Sequence, residues 1–203
     1  GGNLIVPAFA VGRTQDMLFL FADLARRGRI PKLTVYVDSP MATAATEIVA
    51  RHMELLDEEA HAVFGAHRGT RYFRKLAFVE DVEESKALDR VTGGAVIVSA
   101  SGMCDAGRIK YHLRNNLPRR ECTVLITGFQ AAGTLGRRLV DGAKRVRIFG
   151  VEVPVKADLY TLGGLSAHAD RDALMGWLRG FHRAPRRTFV VHGEPDTALG
   201  FAA

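Results

Sequence analysis

Cysteine occurs only twice in this 203-residue chain, at Cys104 and Cys122. That is too few to staple a fold, so both read as reduced thiols and the expected location is cytoplasmic. No apolar run is long enough to cross a bilayer, and no charged-then-apolar leader opens the sequence. Low-complexity tracts are missing as well. What remains is the composition of an ordinary globular protein with no membrane partner, long enough to bury a core. The short signatures of metal and nucleotide sites are also absent. There is no His-x-His, no His-Glu-x-x-His, no Cys-x-x-Cys, no P-loop and no dinucleotide fingerprint. An initiator methionine is lacking too. The chain opens on Gly1-Gly2 and closes on 198–203, which reads as the first turns of a helix cut short, so a fragment of a larger protein is expected.

Charge of one sign is scarce only in the second half. Residues 1–104 carry 12 Lys+Arg against 13 Asp+Glu, whereas residues 105–203 carry 16 against 9. The excess is clustered at Arg119-Arg120, Arg137-Arg138, Lys144-Arg145 with Arg147, and Arg183 with Arg186-Arg187. Such a face attracts polyanions by Coulomb steering and counterion release. It is equally compatible with a solvated surface, and charge alone leaves both open.

Periodicity gives the fold class. Leu4–Val6 is a short apolar strand, and Met17, Leu18, Phe21, Leu24 and Ala25 repeat at helical spacing from Thr14 to about Arg27. Lys32–Val37 is a second strand, stopped by Asp38-Ser39-Pro40 at the start of a second helix. This β-α-β-α order belongs to an open, mostly parallel α/β sheet flanked by helices. From Leu55 to Asp89 the pattern weakens to a surface excursion, with a candidate edge strand at Phe78-Val79 and a short helix from Glu83. Ala95–Ala100 is a buried strand, followed by a helix at 108–115, a strand at Thr123–Ile126 and a short helix at 134–140. The period then changes to two, with short strands at 145–149, 151–155 and 157–162, a helix from Arg171 to Arg179 and a last strand at Thr188–Val191. A boundary near residue 143 separates the α/β part, 1–143, from a β-rich part, 144–203.

Three strand-to-helix turns have small residues where a backbone can approach an anion: 10–13, 99–103 and 127–133. Helix N-termini suit phosphate, and Arg13 and Arg108 add bidentate donors beside two of these turns, one of which contains Ser101 and Gly102. Tight βα connections explain the same residues. Of the histidines, His168 lies in a loop of small residues before a helix-capping Asp170, and His192 ends a valine run. Both sit at strand ends, where an imidazole can serve as metal ligand or proton donor. His52, His61, His67, His112 and His182 have no partner spacing and read as surface or packing residues.

The motifs resemble those of the β-CASP nucleases of the metallo-β-lactamase fold, the family of RNase J and of the endonuclease of pre-mRNA 3′-end cleavage. Residues 2–15 (GNLIVPAFAVGRTQ), 37–42 (VDSPMA) and 101–107 (SGMCDAG) are similar to stretches of the inserted β-CASP domain, 166–170 (SAHAD) to motif B and 191–194 (VHGE) to motif C. The resemblance implies a β-CASP domain followed by the C-terminal β-rich part of a metallo-β-lactamase αββα domain. It implies hydrolysis of RNA phosphodiester bonds by metal-activated water at a two-zinc centre. His192 would ligate one zinc, and His168 would hydrogen-bond the scissile phosphate and protonate the leaving oxygen. Single-stranded RNA is the implied partner, with a homodimer as a further candidate assembly.

The family's His-x-His-x-Asp-His, its later metal ligands and the acidic residue of motif A are not in these residues. They are expected upstream of Gly1, so the fragment alone is expected to be inactive. The competing expectations are a noncatalytic β-CASP relative acting as an RNA-binding or scaffold module, and a hydrolase of the same fold acting on a small phosphate ester or thioester.

Overall fold

A computed structural model describes residues 1–64, 70–191 and 193–202. His67 and His192 lie outside the described residues.

The first part of the chain alternates as its apolar periods require. Leu4–Pro7 (β1) leads to Arg13–Arg26 (α1), Thr34–Asp38 (β2), Pro40–Arg51 (α2), Glu58–Phe64 (α3), Lys75–Phe78 (β3), Val82–Ala87 (α4), Ala95–Ser99 (β4), Ile109–Asn116 (α5), Thr123–Ile126 (β5) and Leu135–Val140 (α6). Short polar side chains start α2 and α4. Ser39 Oγ accepts from Ala42 N at 3.2 Å with Pro40 in the first turn, and Asp81 Oδ1 accepts from Glu83 N at 2.6 Å. Each satisfies an amide that the helix leaves unbonded.

Six strands form one sheet in the order β3-β2-β4-β1-β5-β8, where β8 is Asp158–Thr161, and every neighbouring pair is parallel. The expected mostly parallel α/β sheet is therefore present. Arg145–Ile148 (β6) and Val151–Pro154 (β7) pair antiparallel as a separate hairpin. On one face of the sheet Ile5, Ile97, Val124 and Ile126 pack in a single core with Ile109, Leu113 and Leu117 around α5, Leu135 and Leu139 of α6, and Val146, Ile148 and Val153 of the hairpin. Val6, Val35, Val37, Val96 and Val98 alternate with that set, so they point to the opposite face, and they too are buried. Burial on both faces explains why these strands read as continuous apolar runs.

The chain divides into two compact units, Gly1–Gly163 and Gly164–Ala203. The strands expected at 145–162 all form, but β8 joins the parallel sheet beside β5, and by packing residues 144–163 lie in the first unit. The second unit holds Arg171–Arg179 (α7) and Pro195–Ala202 (α8). Asp170 Oδ1 caps α7 by accepting from Ala173 N at 2.8 Å. Thr188–Val191 is not a strand, and Phe189 and Val191 are exposed. A strand needs a neighbour to take its amides and carbonyls, and no strand lies in this unit among the described residues.

Candidate functional site

Because the sheet is parallel, the loops after β1, β2, β4 and β5 leave from the same edge. Neighbours β1 and β4 send their chains in opposite directions, β1 toward β2 and β4 toward β5. A crevice opens outside the carboxyl ends of strands at such a switch point, which is where α/β sheets bind ligands. The turns singled out in the sequence therefore meet there, and side chains stitch them together. Ser99 Oγ donates to Asp38 O at 2.9 Å, Thr127 Oγ1 to Pro7 O at 3.2 Å, and Gln130 Nε2 to Gly102 O at 2.9 Å. Gly102 lies against Phe9: a Cβ there would stand 3.1 Å from the ring and 3.2 Å from the Phe9 nitrogen. Gly107 has φ +79°, and a Cβ would approach Ala100 O to 2.5 Å. Only glycine closes the 101–107 loop back onto β4.

The amides of this edge are largely consumed inside the protein. At α6, Arg137 N donates to Thr134 Oγ1 at 3.1 Å, Leu135 N to Asp105 Oδ1 at 2.8 Å and Gly136 N to Met103 O at 3.1 Å. At α1, Gly12 N donates to Gln15 Oε1 at 2.7 Å, and Gln15 Nε2 reaches Thr46 Oγ1 at 2.8 Å. At α5, Ile109 N donates to Ala100 O at 3.2 Å. The loops thus cap one another and hold a rigid rim, with Phe9 (49% exposed), Val11, Met41 and Phe129 (65% exposed) standing out from it.

Beneath the rim lies a buried ionic cluster. Asp38, fully buried at the end of β2, accepts from Arg108 Nη1 at 2.8 Å, His112 Nε2 at 2.6 Å and Ser85 Oγ at 2.6 Å. A carboxylate can only accept, so His112 carries its proton on Nε2. Burial pushes the Asp38 carboxyl up, and the hydrogen bonds from His112, Ser85 and Arg108 more than reverse it, leaving its pKa below the ordinary value. Arg108 also donates to Val79 O at 3.1 Å and Glu80 O at 2.7 Å. One guanidinium therefore joins β2, the turn after β3 and the start of α5.

The other expected phosphate contacts are placed as follows. Arg13 begins α1 with its Nε 3.6 Å from Asp16 Oδ2 and its side chain mostly covered. Ser101 is half-buried, and its Oγ accepts from Ala106 N at 3.4 Å. Neighbouring Cys104 is wholly buried, and burial, with Asp105 nearby, pushes its thiol up to about 12. Among the basic clusters, Arg119, Arg137 and Arg145 are tied to Glu121, Asp141 and Glu152. Arg120, Arg138, Lys144 and Arg147 remain exposed.

In the second unit His168 is exposed in the loop before α7, where its backbone N–H donates to Ser166 Oγ at 3.2 Å. Among the described residues no group of three or more His, Cys, Asp or Glu side chains converges as a metal site. The described residues alone therefore do not fit a zinc centre.

Sequence reasoning missed the role of His112 and Asp38. The signal was there: His112 falls on the apolar stripe of α5 with Ile109, Leu113 and Asn116, and Asp38 ends an apolar strand. Two polar groups aimed at one core imply each other.

Comparison with known proteins matches both parts of the chain. The Beta-Casp domain matches residues 14–139, and the Zn-dependent metallo-hydrolase RNA specificity domain matches residues 152–203. The chain is 38% identical over 201 residues to a ribonuclease of Thermus thermophilus, covering 98% of this chain and 45% of that protein. It is 29% identical over 210 residues to the transcription termination factor FttA of Methanosarcina mazei, covering 100% of this chain and 33% of that protein. An RNase J-like protein of Methanocaldococcus jannaschii is 28% identical over 202 residues, covering 100% of this chain and 45% of that protein. The chain spans less than half the length of each of these relatives.

Proposed function

Because the chain belongs to the β-CASP family of metallo-β-lactamase-fold proteins, we propose that it is part of a zinc-dependent ribonuclease that hydrolyses RNA phosphodiester bonds. The observation that carries this reading is the 38% identity to a ribonuclease across 98% of the chain. The chain supplies a rigid rim at the carboxyl edge of a parallel sheet, where exposed Phe9 and Phe129 offer ring faces to unpaired bases. It also supplies an accessible imidazole at His168, which hydrogen-bonds the scissile phosphate and hands a proton to the leaving oxygen. His192 is assigned as this chain's zinc ligand, the rest of the set coming from elsewhere in the parent protein. Zinc would supply the activation of water in that centre.

The test is zinc content and cleavage of a labelled single-stranded RNA by the full-length parent. About two zincs per chain, the number a two-metal clamp requires, with cleavage abolished by a chelator is the expected result. No zinc, with salt-sensitive RNA binding retained, would overturn the enzyme and leave an RNA-binding module.

A further inference from the structure

The β6–β7 hairpin turns at Phe149-Gly150, with φ of +51° and +78°. Two left-handed residues in a two-residue turn are the type I′ arrangement, for which Asn-Gly is strongly preferred. A bulky side chain at positive φ is an outlier. The Phe149 ring is not spent on the core either. It is 44% exposed and lies 4.5 Å, centroid to centroid, from Tyr111, which is 48% exposed on α5. The inner face of α5 is Ile109, His112, Leu113 and Asn116, which leaves Lys110, Tyr111 and Arg114 on its outer side. These cations frame the rings. Lys110 Nζ stands 4.9 Å from the Phe149 centroid, and Arg114 Cζ stands 5.6 Å from Tyr111 and 5.8 Å from Phe149. Neither Lys110 nor Arg114 is bonded to a carboxylate among the described residues. Exposed Arg147 lies two residues before the turn.

We infer that Tyr111 and Phe149, framed by Lys110 and Arg114, form a second RNA contact: the rings stack on bases of a single strand and the cations take its backbone phosphates. This rests on the ribonuclease reading and adds a grip outside the strand-end rim. Ring faces tolerate any base, and cations with no carboxylate partner among the described residues attract the phosphates, which is the combination that single-strand binders use. A second copy of the chain is the less favoured occupant. With a net charge of +6, it would bring like charge toward a cationic patch.

The test uses the full-length protein and a labelled single-stranded oligouridylate. Phe149→Asn creates the favoured Asn-Gly turn, so the melting temperature should hold or rise while the affinity falls about tenfold, as expected for losing one stacked base. Lys110→Ala with Arg114→Ala should lower the slope of log affinity against log salt by about 1.4, the value for two single-strand phosphate contacts. Wild-type cleavage of single-stranded RNA with unchanged affinity in Phe149→Asn would overturn this contact and leave the ribonuclease reading standing. A wild-type protein that neither binds nor cleaves the oligomer would overturn both. A dimer that Phe149→Asn dissociates, with RNA affinity unaltered, would assign the patch to a second copy instead.

Discussion

Asp38 shows what a single residue holds together at the carboxyl edge. Its oxygens receive Arg108, His112 and Ser85 with no water-exposed surface of its own. Removing the carboxylate would leave the buried His112 imidazole without its acceptor and the part-buried Arg108 guanidinium with only the Val79 and Glu80 carbonyls. Asp38→Ala should therefore cost about 3–5 kcal/mol in a urea melt, the range for breaking a buried pair from one side. The pH dependence follows from the lowered pKa of Asp38. A carboxyl depressed in the folded state contributes stability that is complete above its unfolded value of about 3.9 and is lost as pH falls through the folded value. The urea midpoint of the wild type should thus fall on acidification below about pH 4, and the fall should be smaller in Asp38→Asn. Cys104 illustrates the opposite effect: with the thiol pushed up to about 12, it should resist a thiol reagent at neutral pH until the protein unfolds. The role proposed for His168 is in the reaction, not in stability. His168→Ala in the parent should lower the cleavage rate and leave zinc content intact, and a large loss of zinc would make it a metal ligand instead.

At the scale of elements, legibility tracked the locality of the forces involved. Helices α1, α2 and α7 were readable because Met17, Leu18 and Phe21, Ser39-Pro40, and Asp170 act within one turn or one cap. Strand β4 was readable because all five of its residues are buried, so the run is apolar up to Ser99 at its end. The destination of β8 was not. Its pairing with β5 depends on a partner more than thirty residues earlier, and 158–161 alternates much as a hairpin strand would. The strand expected at 188–191 failed for the same reason, since a valine run specifies a strand only when a neighbour exists. At the candidate site the loops were found by their glycines, while the way they cap one another was not, because Asp105 reaches Leu135 N across 30 residues of sequence. Gly107 tests that closure. Gly107→Ala forces a side chain into φ +79° and toward Ala100 O at 2.5 Å. It should destabilise by more than the roughly 1–2 kcal/mol of the left-handed conformation alone, read as a drop in thermal midpoint.

Across the whole molecule the two units differ in what holds them. Gly1–Gly163 encloses an apolar core shared by a six-stranded sheet, two helices and a hairpin. In Gly164–Ala203 no described residue is buried, and Trp177, Phe181, Phe189, Val191 and Leu199 all lie open. A segment of this size without a core cannot offset the entropy of ordering its backbone. The two helices are also too short to persist in water by themselves. Residues 1–163 should therefore melt cooperatively when produced alone, whereas residues 164–203 produced alone should show little helical circular dichroism. Trp177, the single tryptophan, reports on the difference directly. At 66% exposure, in a T-shaped contact with Phe181 at 5.0 Å, its emission in this chain should be that of a solvated indole open to a soluble quencher. In the full-length parent the same emission should shift to the blue and lose its access to quencher, because apolar side chains displayed this densely call for a covering surface. An indole equally solvated in the parent would mean that the α7 face stays open, as a binding surface rather than as part of a completed domain.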